Sequence, residues 1–322
     1  MIDFKIDQIG GKNVADVAQE GSLLQVESYG LKQTRTGENT PGNFAQIRQT
    51  NTLQSLNVEQ TGSGNRLISN QSGNTNQFSA FQTGAGNIAN ITQRNSNNWD
   101  DWYSTSNNKL TQSGDANEAY ITQNGDSKFL VTQNGNLNLV GLEQTGSTAK
   151  VLQDGNSNII GGIVDCVPTS TSILSTGSSL DATQLGDNNK LYLSTVGVLT
   201  VVQDNTGTAM VGNTIKYTQT AYGIVSLNQD GDKNLIWLKN TSTANPMEVD
   251  VDQDGNGNTI ASFENGIATS CAKFAGASLD VDQIGNLNSL HLNSTGAYDV
   301  VDVLQNGTNN WASVTQSDSP GN

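Results

Sequence analysis

Apolar residues recur at every second position over short runs, and a fixed polar phrase separates the runs. The phrase is Gln-x-Gly-x-x-Asn. It stands at Gln8–Asn13, Gln60–Asn65, Gln71–Asn76, Gln82–Asn87, Gln112–Asn117, Gln133–Asn138 and Gln153–Asn158. It returns at Gln184–Asn189, Gln229–Asn234, Gln253–Asn258, Gln283–Asn288 and Gln305–Asn310. Degenerate copies begin at Gln93, Gln123, Gln144 and Gln203. Two residues before many of these glutamines sits an apolar side chain, such as Val58, Ile91, Leu110, Ile121 or Val131. Two residues after many of the asparagines sits another, such as Leu67, Phe78, Ala89, Ala119 or Val140. Asn, the second and fourth residues after it, and the next Gln therefore share one face at period two. That is strand alternation rather than helix. The four residues between Gln and Asn hold the glycine and form a turn.

The spacing predicts the architecture. Gln60, Gln71, Gln82 and Gln93 stand 11 residues apart. Each unit is a strand and a turn, and two units make one coil of about 22 residues. A single coil buries almost nothing, but stacked coils bury a thin strip of Val, Ile, Leu and Ala. Inward glutamines and asparagines are costly when unpaired, and stacking on identical amides above and below pairs them. The expected fold is all-β: a β-solenoid of stacked strand-turn-strand coils, about a dozen in number. The ladder residues are Gln60, Asn65, Gln71, Asn76, Gln82, Asn87, Gln93, Gln112, Asn117, Gln123, Gln133, Asn138, Gln153 and Asn158. Gln253, Asn258, Gln283, Asn288, Gln305 and Asn310 continue them. Residues 1–57 read as irregular coils, 58–160 as the regular solenoid, 161–316 as a looser solenoid with loop insertions, and 317–322 as a tail. In the looser part, intervals between glutamines run from 19 to 31 residues, one coil each.

Composition supports the frame. Asparagine (41) and glutamine (25) make 66 of 322 residues, with 34 glycines and only 4 prolines. Charged residues are 14%, against about 25% in an ordinary domain. So few bulky apolar residues do not fill a thick globular core. Lys+Arg is 15 and Asp+Glu is 30, a net charge of −15. That balance argues against nucleic acid and anionic membrane surfaces as partners. No stretch has the length of an apolar membrane span. The segment Met1–Asp7 shows no basic region followed by an apolar one, so no Sec signal peptide is read there.

The pattern resembles the curlin repeat of curli-type amyloid subunits, Gln-x-Gly-x-Gly-Asn-x-Ala-x-x-x-Gln. The segment from Gln82 to Gln93 fits every fixed position. Gln8–Gln19, Gln112–Gln123 and Gln305–Gln316 fit all but the second glycine. The resemblance covers 58–160 well and continues in patches to 316. It implies a β-solenoid whose ends can add further subunits, as in secreted biofilm fibres. Curlin-like repeats also resemble segments of tailed-phage structural proteins, and virion proteins need no signal peptide. The expectation is a non-enzymatic structural protein, placed first in a virion as a fibre, spike or capsid decoration. The alternative is a secreted functional-amyloid fibre subunit of a biofilm matrix. The expected partners are copies of itself or other structural subunits.

Candidate chemistry is sparse. The only histidine, His291, has no serine or cysteine partner nearby in sequence, which makes a poor catalytic seed. No phosphate loop, zinc spacing or dinucleotide fingerprint occurs, so no cofactor is expected. Asp250, Asp252, Asp254, Asn256 and Asn258 resemble a calcium loop, but its twelfth position is Phe263 rather than Glu. Calcium stays a candidate at Asp252, Asp254 and Asn256 only. Trp99, Trp102 and Tyr103 lie in a long step between Gln93 and Gln112 and could touch a surface glycan or a partner chain. Threonines preceding glutamines, among them Thr92, Thr111, Thr122 and Thr132, would form one outward row. Cys166 and Cys271 lie about four coils apart, too far for a direct disulfide, so free thiols or intermolecular bonds are expected.

Overall fold

The computed structural model describes residues 5–21, 30–51, 55–74, 76–94, 108–125, 127–144 and 148–164. It continues through 167–168, 173–175, 179–193, 198–205, 211–218, 223–240, 247–261, 272–274, 279–294 and 301–316. Cys166, Cys271, Trp99, Trp102 and Tyr103 lie outside the described residues. All regular structure within them is β-strand. The fold is a β-solenoid, with two compact units, Met1–Asn156 and Ser157–Asn322.

In the first unit, one parallel stack holds seven strands, from Ile6–Ile9 through Gly30–Arg35, Ser55–Ser63, Gln77–Ala85, Lys109–Ser113 and Phe129–Asn134 to Ala149–Asp154. The other holds six, from Val14–Glu20 through Phe44–Thr50, Arg66–Ser72, Ile88–Arg94 and Glu118–Asn124 to Leu139–Gln144. Like positions pair with like: Gln60 opposes Gln82, and Gln71 opposes Gln93. Burial alternates strictly along Ser55–Ser63 and Phe44–Thr50. This is the period two of the sequence made physical.

The core of this unit holds three further columns beside the one that runs Leu56, Phe78, Asn108, Phe129 and Ala149. Leu31, Val58, Ala80, Leu110, Val131 and Val151 form one, in continuous register. Ala45, Leu67, Ala89, Ala119 and Val140 form the second. Ile47, Ser69, Ile91, Ile121 and Leu142 form the third. All are buried. Each large apolar member contributes about 1.5–3 kcal/mol relative to exposure.

The second unit repeats the scheme with shorter strands. Ser157–Asn322 has six rungs in one stack, from Leu180–Gly186 to Gln305–Thr308, four of them split into two short strands, and seven rungs in the other, from Ile159–Val164 to Trp311–Gln316. Its core column runs Ile160, Leu191, Ile215, Ile236, Ile260 and Leu290. One antiparallel pair, Ile163 with Pro168 and Val164 with Val167, departs from the parallel rule.

The Gln-x-Gly-x-x-Asn turn needs two left-handed residues. In the turn from Gln133 to Asn138, Gly135 has φ 102° and Leu137 has φ 60°. At Gly135 coils approach so closely that a Cβ would lie 2.0 Å from the carbonyl oxygen of Gly155. Only glycine fits there. The fifth position tolerates other residues in the αL region, which explains why the second glycine of the repeat is often absent.

Candidate functional site

The inward glutamines form continuous side-chain ladders. Each Nε2 donates to the Oε1 of the glutamine one coil on. The distances are 2.8 Å for Gln33 to Gln60, 2.7 Å for Gln60 to Gln82 and 2.8 Å for Gln82 to Gln112. Gln112 to Gln133 and Gln133 to Gln153 are both 2.9 Å. The opposite stack carries Gln19, Gln49, Gln71, Gln93 and Gln123. In the second unit the ladder runs Gln184, Gln203, Gln229, Gln253, Gln283 and Gln305. Nε2 also reaches a carbonyl of the facing strand, as from Gln82 to Arg66 at 3.2 Å. Both amide protons are therefore used.

The asparagines close the turns. Asn87 Nδ2 donates to the Thr83 carbonyl at 3.2 Å within its own turn and to the Gly114 carbonyl at 2.8 Å in the next coil. Its Oδ1 accepts the backbone N–H of Asn117 at 3.0 Å. Asn65 and Asn117 repeat this pattern in the first unit, Asn138 repeats both donations, and Asn258 and Asn288 repeat the pattern in the second. Asn158 donates to Gly186 and accepts from Asn189. Asn310 donates its backbone N–H to Asn288 Oδ1 at 3.1 Å. Asn76 lies buried at the opposite turn and donates to the Ser72 carbonyl at 2.9 Å.

Several ladder residues escape the fixed spacing. Gln33, Asn43 and Gln49 are fully buried members within 20–57. Gln33 and Asn43 are separated by an enlarged turn that Thr40 closes onto the carbonyls of Thr36 and Gly37. Gln203 and Asn213 are likewise fully buried and stand ten residues apart rather than five, and Asn213 Nδ2 reaches the Gly231 carbonyl at 2.8 Å. The detectable signal was the apolar alternation around Ala45 and Ile47, not the six-residue phrase. Asn108 lies in the column of Phe78 and Phe129. Its Oδ1 accepts from Gln123 and from the Phe129 backbone.

The expected single threonine row is corrected. Two turns per coil send successive threonines to opposite stacks: Thr92 pairs with Thr122, and Thr111 with Thr132. No continuous flat array results.

Asp252 and Asp254 are exposed on one outward face, and Asn256 is engaged in an outer turn ladder. Asn256 Oδ1 accepts the Asp232 N–H at 2.8 Å, and its own N–H donates to Asn286 Oδ1 at 2.9 Å. Among the described residues, no group of three or more His, Cys, Asp or Glu is placed to hold a metal ion. Aspartates do stack in this unit: Asp204, Asp230 and Asp254 are in register, as are Asp280 and Asp302. Desolvation, then Asp250 and Asp282, push the Asp252 carboxyl above the usual carboxylate range, with Asn228 opposing. Desolvation, then Asp282, Asp302 and Asp250, push Asp280 up. Asp204 is raised by desolvation and Asp230. In the first unit Asp16 is held down by hydrogen bonds from Arg48 and Gln46.

His291 stands on an outward face, 3.3 Å from Ser313 Oγ. Among the described residues no helix is long and apolar enough to cross a membrane. The chain matches no family model, and no curated protein matches it.

Proposed function

We propose that this chain is a non-enzymatic structural protein, a β-solenoid subunit of a repeating assembly whose partners are copies of itself or other structural subunits. The observation that supports it most is the chemistry of the interior. Every buried polar side chain among the described residues is a glutamine, an asparagine or a serine. None of these is an acid or base near neutral pH. Side chains of one kind stack on their own kind, which gives length and rigidity rather than turnover.

The first setting is a virion, as a fibre, spike or capsid decoration. It rests on the resemblance of the repeat to segments of tailed-phage structural proteins. Negative-stain microscopy of the native source with antibody against the chain tests it. Label on particle appendages supports the virion setting, and label on free filaments removes it.

A second reading, a secreted amyloid-like fibre subunit of an extracellular matrix, has its own supporting observation. Inward positions that are fully buried elsewhere are half-exposed in the first and last described coils. Ala15, Val17 and Gln19 are so at one end, and Val303, Ala312 and Val314 at the other. Such strand edges are templates for another chain.

A further inference from the structure

The first and last described coils match each other at their inward positions. Gln8 and Gln19 are 11 residues apart, and so are Gln305 and Gln316. Both coils have the same turn, with left-handed Lys12 (φ 65°) and Asn309 (φ 59°) at the fifth position. If the Gln283–Gln305 ladder continued onto Gln8 of a second copy, Val303 would lie over Ile6, Asn310 over Asn13, Ala312 over Ala15 and Val314 over Val17. At these inward positions each apolar residue then meets an apolar one and asparagine meets asparagine, while outward Leu304 would lie over Asp7 and Asn306 over Ile9.

The ladders also have a direction. Gln8 Nε2 donates to Gln33, and Gln19 Nε2 donates to Gln49. Among the described residues, Oε1 of Gln8 and of Gln19 accepts nothing, so this end presents acceptors. At the other end Gln305 Oε1 already accepts from Gln283 while its Nε2 donates to the Ser289 carbonyl at 3.2 Å. Its second amide proton is left to continue the ladder. Asn310 Oδ1 stands where the preceding asparagines accept a backbone N–H from the next coil, as Asn288 Oδ1 does from Asn310. Two like ends would set acceptor against acceptor or donor against donor.

The outer row three residues before the glutamine supplies charge. Asp280 and Asp302 are adjacent in register there, and Asp302 is exposed. On the first coil the same position is Lys5, also exposed. We infer that the last coil of one copy stacks on the first coil of the next, head to tail, with Asp302 set against Lys5 of the second copy as the pair that fixes register and direction. This rests on the repeating-assembly reading and names its joint. The ammonium ends a column of carboxylates that otherwise repel one another. Neighbouring strands lie about 4.8 Å apart, within reach of both side chains.

Charge exchange in the full-length protein tests it. Filament elongation is measured at low salt for the wild type, Lys5→Asp, Asp302→Lys and the double swap, with thermal unfolding to confirm that each variant folds. Each single variant is expected to raise the critical concentration about tenfold by placing like charges together, and the double swap to restore it. The gap should narrow at about 0.5 M salt. Single variants that elongate like the wild type, or a double swap no better than the singles, overturn the joint while leaving assembly standing. If the wild type itself forms no filaments under any condition, the assembly reading falls with it.

Discussion

Gln82 donates Nε2 to Oε1 of Gln112 across 2.8 Å, although 30 residues separate them. Gln60 does the same to Gln82 across 22 residues. An insertion between strands is carried without disturbing the ladder. Loop length varies, while the stacked amides stay in register because a slip would leave buried donors and acceptors without partners. The coil is therefore a unit of hydrogen bonding rather than of chain length.

Ser69 offers a test of the core columns. It stands between Ile47 and Ile91, fully buried, and its Oγ has no hydrogen-bond partner. A buried hydroxyl without a partner costs about 1–3 kcal/mol. Ser69→Ala is expected to stabilise the chain by about 1 kcal/mol, and Ser69→Val by somewhat more as it fills the column. Denaturant unfolding reads both.

The turn geometry makes two opposite predictions two residues apart. Gly135→Ala places a Cβ against the Gly155 carbonyl and is expected to destabilise by about 3 kcal/mol or more. Leu137→Gly relieves an αL leucine that is 61% exposed and is expected to stabilise by about 0.5–1 kcal/mol. Thermal unfolding of the two variants should move in opposite directions.

The stacked aspartates predict an unusual pH response in Ser157–Asn322. Asp204, Asp252 and Asp280 have carboxyls raised above the ordinary range. The folded state therefore binds protons before the unfolded one does, and stability falls as pH rises through that window. Acidification from about pH 7 to about pH 4.5 should increase protection in this unit, measured by segment-resolved hydrogen exchange. Asp252→Asn should flatten the response. Asp16, held below the range by Arg48, acts in the opposite sense: its contribution is lost as pH falls through its lowered value.

The solenoid was legible because period-two alternation and the Gln-Gly-Asn phrase are both set by local geometry. Val58, Gln60 and Asn65 could be placed inward from spacing alone. Gln33 and Asn43 could not, because they stand ten residues apart where the phrase normally sets five. The phrase is short only where the turn is minimal. The two threonine rows were missed because a repeat read along one chain does not show that successive strands face opposite ways. The pairing of Asn108 with Gln123 depends on a column that spacing across the long insertion does not fix.

The central claim is that inward amides stacked on their own kind hold the coils together. The most direct measurement is denaturant unfolding of Gln82→Leu beside Thr83→Leu. Gln82 is buried and hydrogen-bonded to both neighbouring rungs, while Thr83 is exposed one residue on. Leucine at 82 strands the Gln60 donor and the Gln112 acceptor. The expected loss is about 2–4 kcal/mol at 82 and less than about 0.5 kcal/mol at 83. A Gln82→Leu protein as stable as the wild type, or more so, would contradict the account.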